Sequence, residues 1–254
     1  MQTQFHSTLQ KKSSNSLFKT ILLLTPVLLG TSCGGSGDAG VVSAATTAPA
    51  TGSTTPGATL KSFKAQVWAD NWFSLHVGET YVGEDSVPIT TERSFNYETL
   101  SFNASYPFEL NFIIKDYKQN DTGLEYIGLA NQQMGDGGFI MQIMDTSTNK
   151  IVAVSGTAFK CKVIHKAPLN TACEKTINPT VASCGAAVLA EPLAWKTAGF
   201  DTSSWESAST YTAAQIGAKD GYYDIKWDAA AKLIWTSDLN ADNTLLCKTT
   251  VTAS

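Results

Sequence analysis

Ser62-Phe63-Lys64-Ala65-Gln66-Val67-Trp68 and, shortly after it, Trp72-Phe73-Ser74-Leu75-His76-Val77 alternate apolar and polar side chains. A period of two sends successive side chains to opposite faces, so both runs read as half-buried β-strands. β-Branched and aromatic residues fill similar segments further on: Phe108-Glu109-Leu110-Asn111-Phe112-Ile113-Ile114, Phe139-Ile140-Met141-Gln142-Ile143-Met144 and Ile151-Val152-Ala153-Val154. Turn-forming clusters separate them, among them Val77-Gly78-Glu79, Asn120-Asp121-Thr122-Gly123 and Gly135-Asp136-Gly137-Gly138. After residue 60 no stretch of helical length carries a capped 3.6-residue period; 208–214 and 228–234 offer a helical turn or two. Many short strands joined by polar turns predict an all-β sandwich or jelly roll.

The composition narrows the function classes. The 254 residues include 22 acidic and 18 basic side chains, a net charge of −4, and Arg93 is the only arginine. Phosphate neutralisation needs clustered Lys and Arg, so nucleic acid is excluded as a partner. Charged residues make up 16% against about 25% in an average soluble domain, and aromatics make up 10%, a balance that belongs to a folded chain. His6, His76 and His165 are too scattered for a histidine-rich metal site.

The first 60 residues read as an address and a tether. Lys11, Lys12 and Lys19 precede the apolar run Ile21-Leu22-Leu23-Leu24-Thr25-Pro26-Val27-Leu28-Leu29, which leads into Gly30-Thr31-Ser32-Cys33. A basic region, a short apolar core and small residues form an export signal, and the run falls short of the ~20 residues that span a bilayer. The small residues before Cys33 resemble a bacterial lipoprotein signal, which implies cleavage after residue 32, lipidation of Cys33 and, with no aspartate after it, delivery to the outer membrane or cell surface. Gly30 holds the place where that signal usually has leucine; ordinary cleavage near Val42-Ser43-Ala44, giving a secreted protein, is the alternative. Residues 33–60 are mostly Gly, Ser, Thr, Ala and Pro, a flexible linker composition, so one domain is expected from 61 to 254.

Ala69-Asp70-Asn71-Trp72-Phe73-Ser74-Leu75-His76-Val77 with Tyr81-Val82-Gly83 resembles the opening strands of galactose-binding-like jelly-roll modules. Met134-Gly135-Asp136-Gly137-Gly138-Phe139 is similar to a later strand entry of those modules, and the run from Trp195 through Gly199-Phe200-Asp201 to Trp205 to a turn found in those attached to glycosidases. Where the modules carry an Asn-Gly turn, this chain has Gly78-Glu79, which predicts a wider first hairpin. The resemblance implies a carbohydrate-binding-module-like fold and one structural calcium ion near a loop.

With Cys33 lipidated, Cys161, Cys173, Cys184 and Cys247 remain, and four cysteines permit three pairings. A local Cys173–Cys184 bridge would leave Cys161 with Cys247, pinning the C-terminal third to the sandwich, so that reduction loosens that end before the core at 67–151. Asp238, Asn240 and Asp242 have the alternate spacing that begins a calcium loop, although Thr249 stands where a closing Glu belongs; a plain polar turn is the competing reading. Asp116, Asn120, Asp121 and Glu125 form a second oxygen-rich stretch.

Trp68, Trp205 and Trp235 sit among apolar neighbours and belong to the core, whereas Trp72, Tyr81, Tyr117 and Tyr126 lie in or beside turns and suit a sugar-stacking face. Glu84, Asp85, Glu92 and Asp136 are the carboxylates placed to accept sugar hydroxyls. No G-x-S-x-G nucleophile motif occurs, His76 reads as a strand residue and His165 as a loop residue. The function expected is a non-catalytic, lipid-anchored, monomeric binding module for a glycan or cell-surface polymer. The alternatives are a structural envelope or adhesion protein and, less favoured, a glycoside hydrolase or esterase.

Overall fold

A computed structural model of the chain describes residues 59–91 and 94–253; Cys33, the tether up to residue 58 and Glu92 lie outside the described residues. The first strands are β1 (Lys61–Asp70), β2 (Trp72–Val77), β3 (Thr80–Glu84), β4 (Tyr97–Ala104) and β5 (Phe108–Lys115), followed by the short pair β6 (Leu124–Glu125) and β7 (Gln133–Met134). Then come β8 (Gly138–Asp145), β9 (Lys150–Val154), β10 (Lys160–Lys166), β11 (Ala187–Val188), β12 (Glu206–Ser207), β13 (Ser209–Tyr211), β14 (Leu233–Trp235) and β15 (Asp242–Val251). One sheet runs β13-β14-β8-β1-β4, with β9 also on β8; the other runs β11-β10-β15-β5-β2-β3, with β12 also on β10. All the registered strand pairs are antiparallel. The chain is an all-β sandwich.

The period of two does its work in β1, where Phe63, Ala65, Val67 and Ala69 are all fully buried between the sheets. Leu110, Phe112 and Ile114 answer them from β5, and Phe73, Phe112, Phe139 and Phe159 form a chain of ring contacts through the centre. Trp68 points the other way and is buried all the same, because Ile216, Ala218 and Leu233, with Tyr222 and Trp227, cover the outer face of the first sheet. Trp195, Trp205 and Phe200 cover Leu246, Ile113 and Ile164 on the outer face of the second. The buried Lys248 ammonium fastens that cover: it bonds Glu109 and Asn111 beneath and the carbonyl of Thr197 above. The C-terminal third therefore reads weakly as strand because much of it is cladding.

Local chemistry explains the departures from the sequence reading. The first helix, α1, is Val181–Cys184; in 208–214 the chain forms β13 and then enters α2 (Ala213–Ile216), which starts at the Thr212–Gln215 capping box. No helix forms in 228–234: Asp228 caps a turn by accepting from Ala230 N, and the next residues pair with β13. The first hairpin is tight rather than wide, for Val77 pairs with Thr80 across a two-residue turn and Gly78 takes φ of 55°. The extra residue sits inside β3, as a bulge between the Leu75–Gly83 and His76–Tyr81 pairs.

Cys161 pairs with Cys247 and Cys173 with Cys184. The first bridge joins register partners on β10 and β15 within the main core, so it staples the sandwich itself rather than pinning a peripheral segment to it. Two disulfides belong to an oxidising, non-cytoplasmic compartment. Among the described residues no helix is long and apolar enough to cross a membrane.

Candidate functional site

Three aspartates meet where the two sheets exchange a strand. Asp70 ends β1, and a single residue, Asn71, carries the chain from the first sheet into β2 of the second. Asn71 N donates to Lys115 O, and Asn71 Oδ1 accepts from Tyr117 N at 2.5 Å, which fixes the segment leaving β5 beside that crossing. Asp116 lies on this segment, its amide bonded to Asn243 O. Asp136 comes from the glycine-rich loop before β8, a loop that Asn240 Nδ2 holds by donating to Gly135 O.

One carboxylate oxygen from each of Asp70, Asp116 and Asp136 lies within 4.8 Å of the others. Asp70 and Asp116 are 1% and 2% exposed, and none of their four carboxylate oxygens has a hydrogen-bond partner in the protein. Glu125, buried on β6, adds a fourth acid and accepts from Gln133 Nε2. Two unit charges at this spacing repel by roughly 3–4 kcal/mol at an effective dielectric of ~20. Burial first, and then the neighbouring carboxylates, pushes Asp70 and Asp116 well above the usual aspartate range; burial also raises Asp136. Lys219 is the cation that opposes the shift at Asp70 and Asp136. The donor set is all oxygen, as hard divalent cations require.

Asp116 also stands at the edge of an open groove of about 520 Å³. Its floor is the outer face of the second sheet, with Ile113 and Ile164, and its polar side is Lys115, Tyr117 and Lys118. His165 faces it from within β10, buried rather than in a loop, with Nε2 3.3 Å from the Asp121 carboxylate. Burial and Lys118 lower the pKa of His165, which leaves it neutral at pH 7.

The sequence candidates divide between places. Trp72 is half-buried with Lys115 Nζ 4.7 Å above its ring, Tyr117 lines the groove, and Tyr126 follows Glu125 with φ of 51°. Asp136, half-buried, belongs to the acidic cluster. Tyr81 sits across from His76 near the hairpin tip, exposed, while Glu84 is exposed at the other end of β3. Asp85 is buried, accepts from Val87 N at 2.8 Å, and is raised to about 6 by that burial. Asp238 and Asp242 do converge, and the group between them is the Lys166 ammonium, at 2.6 and 2.7 Å. Asp242 also accepts from Thr236 Oγ1, and Asp238 from the amides of Asn240 and Ala241.

Asp70 is the residue the sequence reading passed over. It stands at the end of an apolar strand, and its partners come from distant turns; an acid closing a strand that is buried on both faces is the one local signal. No protein-family model matches the chain, and neither does any curated protein or solved structure.

Proposed function

We propose that this protein is a non-catalytic binding module that presents the groove beside Asp116 to a glycan or cell-surface polymer. The observation that carries the reading is the groove itself, an open channel whose apolar floor is bordered by Tyr117, Lys115 and Lys118. A flat ring and hydrogen-bonding side chains along one wall suit a sugar face and its hydroxyls. The export-signal and tether pattern of the sequence supports a location at the outer membrane or cell surface with a lipid on Cys33, and the galactose-binding-like resemblance agrees with a carbohydrate ligand.

A polysaccharide array probed with the detergent-purified full chain tests this. Binding that Tyr117→Ala weakens at least tenfold is expected; no binding to any polysaccharide removes the reading. One observation favours the structural or adhesion alternative. Val188, Leu189 and Leu193, at the groove rim and just beyond it, are 62%, 52% and 93% exposed, an apolar strip suited to another protein.

A further inference from the structure

We propose that Asp70, Asp116 and Asp136, with Glu125 beside them, form a site for one calcium ion that clamps the two sheets together at the head of the groove. The site itself stands without the glycan reading; only its effect on the groove depends on it.

Four orphaned oxygens carry the inference. Among the described residues nine buried side-chain polar atoms lack a partner, and four of these belong to Asp70 and Asp116 alone. Buried carboxylates are normally met by several donors, so a pair with none holds protons or faces a cation, and the convergence of both on a third acid favours the cation. Among the described residues no side chain is the occupant: Lys219 acts on Asp70 and Asp136, but no described ammonium bonds any of the three carboxylates, in contrast to Lys166 between Asp238 and Asp242.

The spacing and chemistry choose the ion. Oxygens bound at ~2.3–2.6 Å to one calcium stand up to roughly 5 Å apart, whereas magnesium, at ~2.0–2.1 Å, holds its ligands within about 4.2 Å in a strict octahedron. Three oxygens within 4.8 Å of one another fall inside the calcium span, and calcium's tolerance of irregular geometry suits ligands drawn from three separate elements. Neither thiolate nor imidazole belongs to the cluster, so it has none of the softer donors that favour zinc or copper.

The connectivity gives the ion its task. Asp70 and Asp136 flank β1 and β8 of the first sheet, and Asp116 extends β5 of the second. The residues that follow Asp116, from Tyr117 to Asp121, build one wall of the groove. A bound cation thus replaces mutual repulsion at the head of that wall with a shared ligand.

The test is a calcium titration of the chelator-treated full chain, followed by calorimetry and by terbium luminescence sensitised through Trp235, whose ring packs against Gly137 beside Asp136. One ion per chain is expected, with affinity lowered at least tenfold by Asp136→Asn and changed less than twofold by Asp238→Asn. Tenfold excess magnesium leaves the calcium signal in place. Asp116→Asn is expected to abolish binding; because Asp116 is fully buried, the half-buried Asp136 carries the test if that variant does not fold. A folded chain that ignores millimolar calcium overturns the proposal, as does binding indifferent to Asp136→Asn or abolished by Asp238→Asn. No glycan enters the titration, so its failure leaves the groove reading standing, and an empty polysaccharide array leaves the ion standing.

Discussion

The carboxylate of Asp116 occupies the space that a side chain at residue 135 would fill: a Cβ on Gly135 would stand 1.7 Å from Asp116 Oδ2. Gly135→Ala therefore drives Asp116 out of the cluster or shifts the loop that carries Asp136. The substitution is expected to cost roughly 1–3 kcal/mol of stability, as overpacking does, and to weaken calcium binding at least tenfold. Calcium-titrated thermal melts of the variant and the parent chain check both effects.

The two disulfides differ in what they enclose. Cys161–Cys247 closes a separation of 86 residues and lies between register partners in the core, whereas Cys173–Cys184 closes 11. Loop-closure entropy alone gives about 4–5 kcal/mol for the first and ~3 for the second. Replacing Cys161 and Cys247 by alanine is expected to lower the unfolding midpoint of the whole sandwich, and replacing Cys173 and Cys184 to lower it less. Denaturant unfolding read by core tryptophan fluorescence separates the two pairs.

Asp85 makes stability fall as pH rises. Burial lifts its folded value to about 6, above the ~3.9 of an unfolded chain, so between those two pH values the folded state holds a proton that the unfolded state has released. The stability is whole below about pH 4, declines up to about pH 6, and stays reduced above it. Asp85→Asn, which keeps an acceptor for Val87 N, is expected to flatten this decline and raise the melting temperature at pH 7. Melts taken across pH 4 to 8 on both proteins measure it.

Lys166→Ala tests the turn at 238–242. The substitution leaves the Asp242 side chain, 4% exposed, without its ammonium partner. A loss of about 1.5–3 kcal/mol is expected from urea unfolding, the range for hydrogen bonds to charged groups. Chelation should leave that loss unchanged, because in this account the turn is held by lysine.

How much the sequence disclosed depended on the range of the signal. The inward face of β1 was legible because Phe63, Ala65, Val67 and Ala69 repeat every second residue, and a period of two is local information. The burial of Trp68 was legible from its apolar neighbours, but the residues that cover it, from 213 to 233, are brought there only by the fold. The four cysteines left three pairings open until the register of β10 and β15 set Cys161 against Cys247. Spacing singled out Asp238, Asn240 and Asp242, yet the two aspartates' oxygens are met by Lys166, Thr236 and backbone amides, and Asn240 donates to Gly135 O. The acids of the cluster are contributed one at a time by β1, the end of β5 and the loop before β8, so no window of sequence contains them together.

A cation at Asp70, Asp116 and Asp136 would hold the head of the groove. Hydrogen-exchange mass spectrometry of the full chain, with calcium and with chelator, reads it most directly. Slower exchange with calcium is expected at 70–72, 116–121 and 135–137, and no change at 238–242. Identical exchange in the two conditions, or protection confined to 238–242, would contradict it.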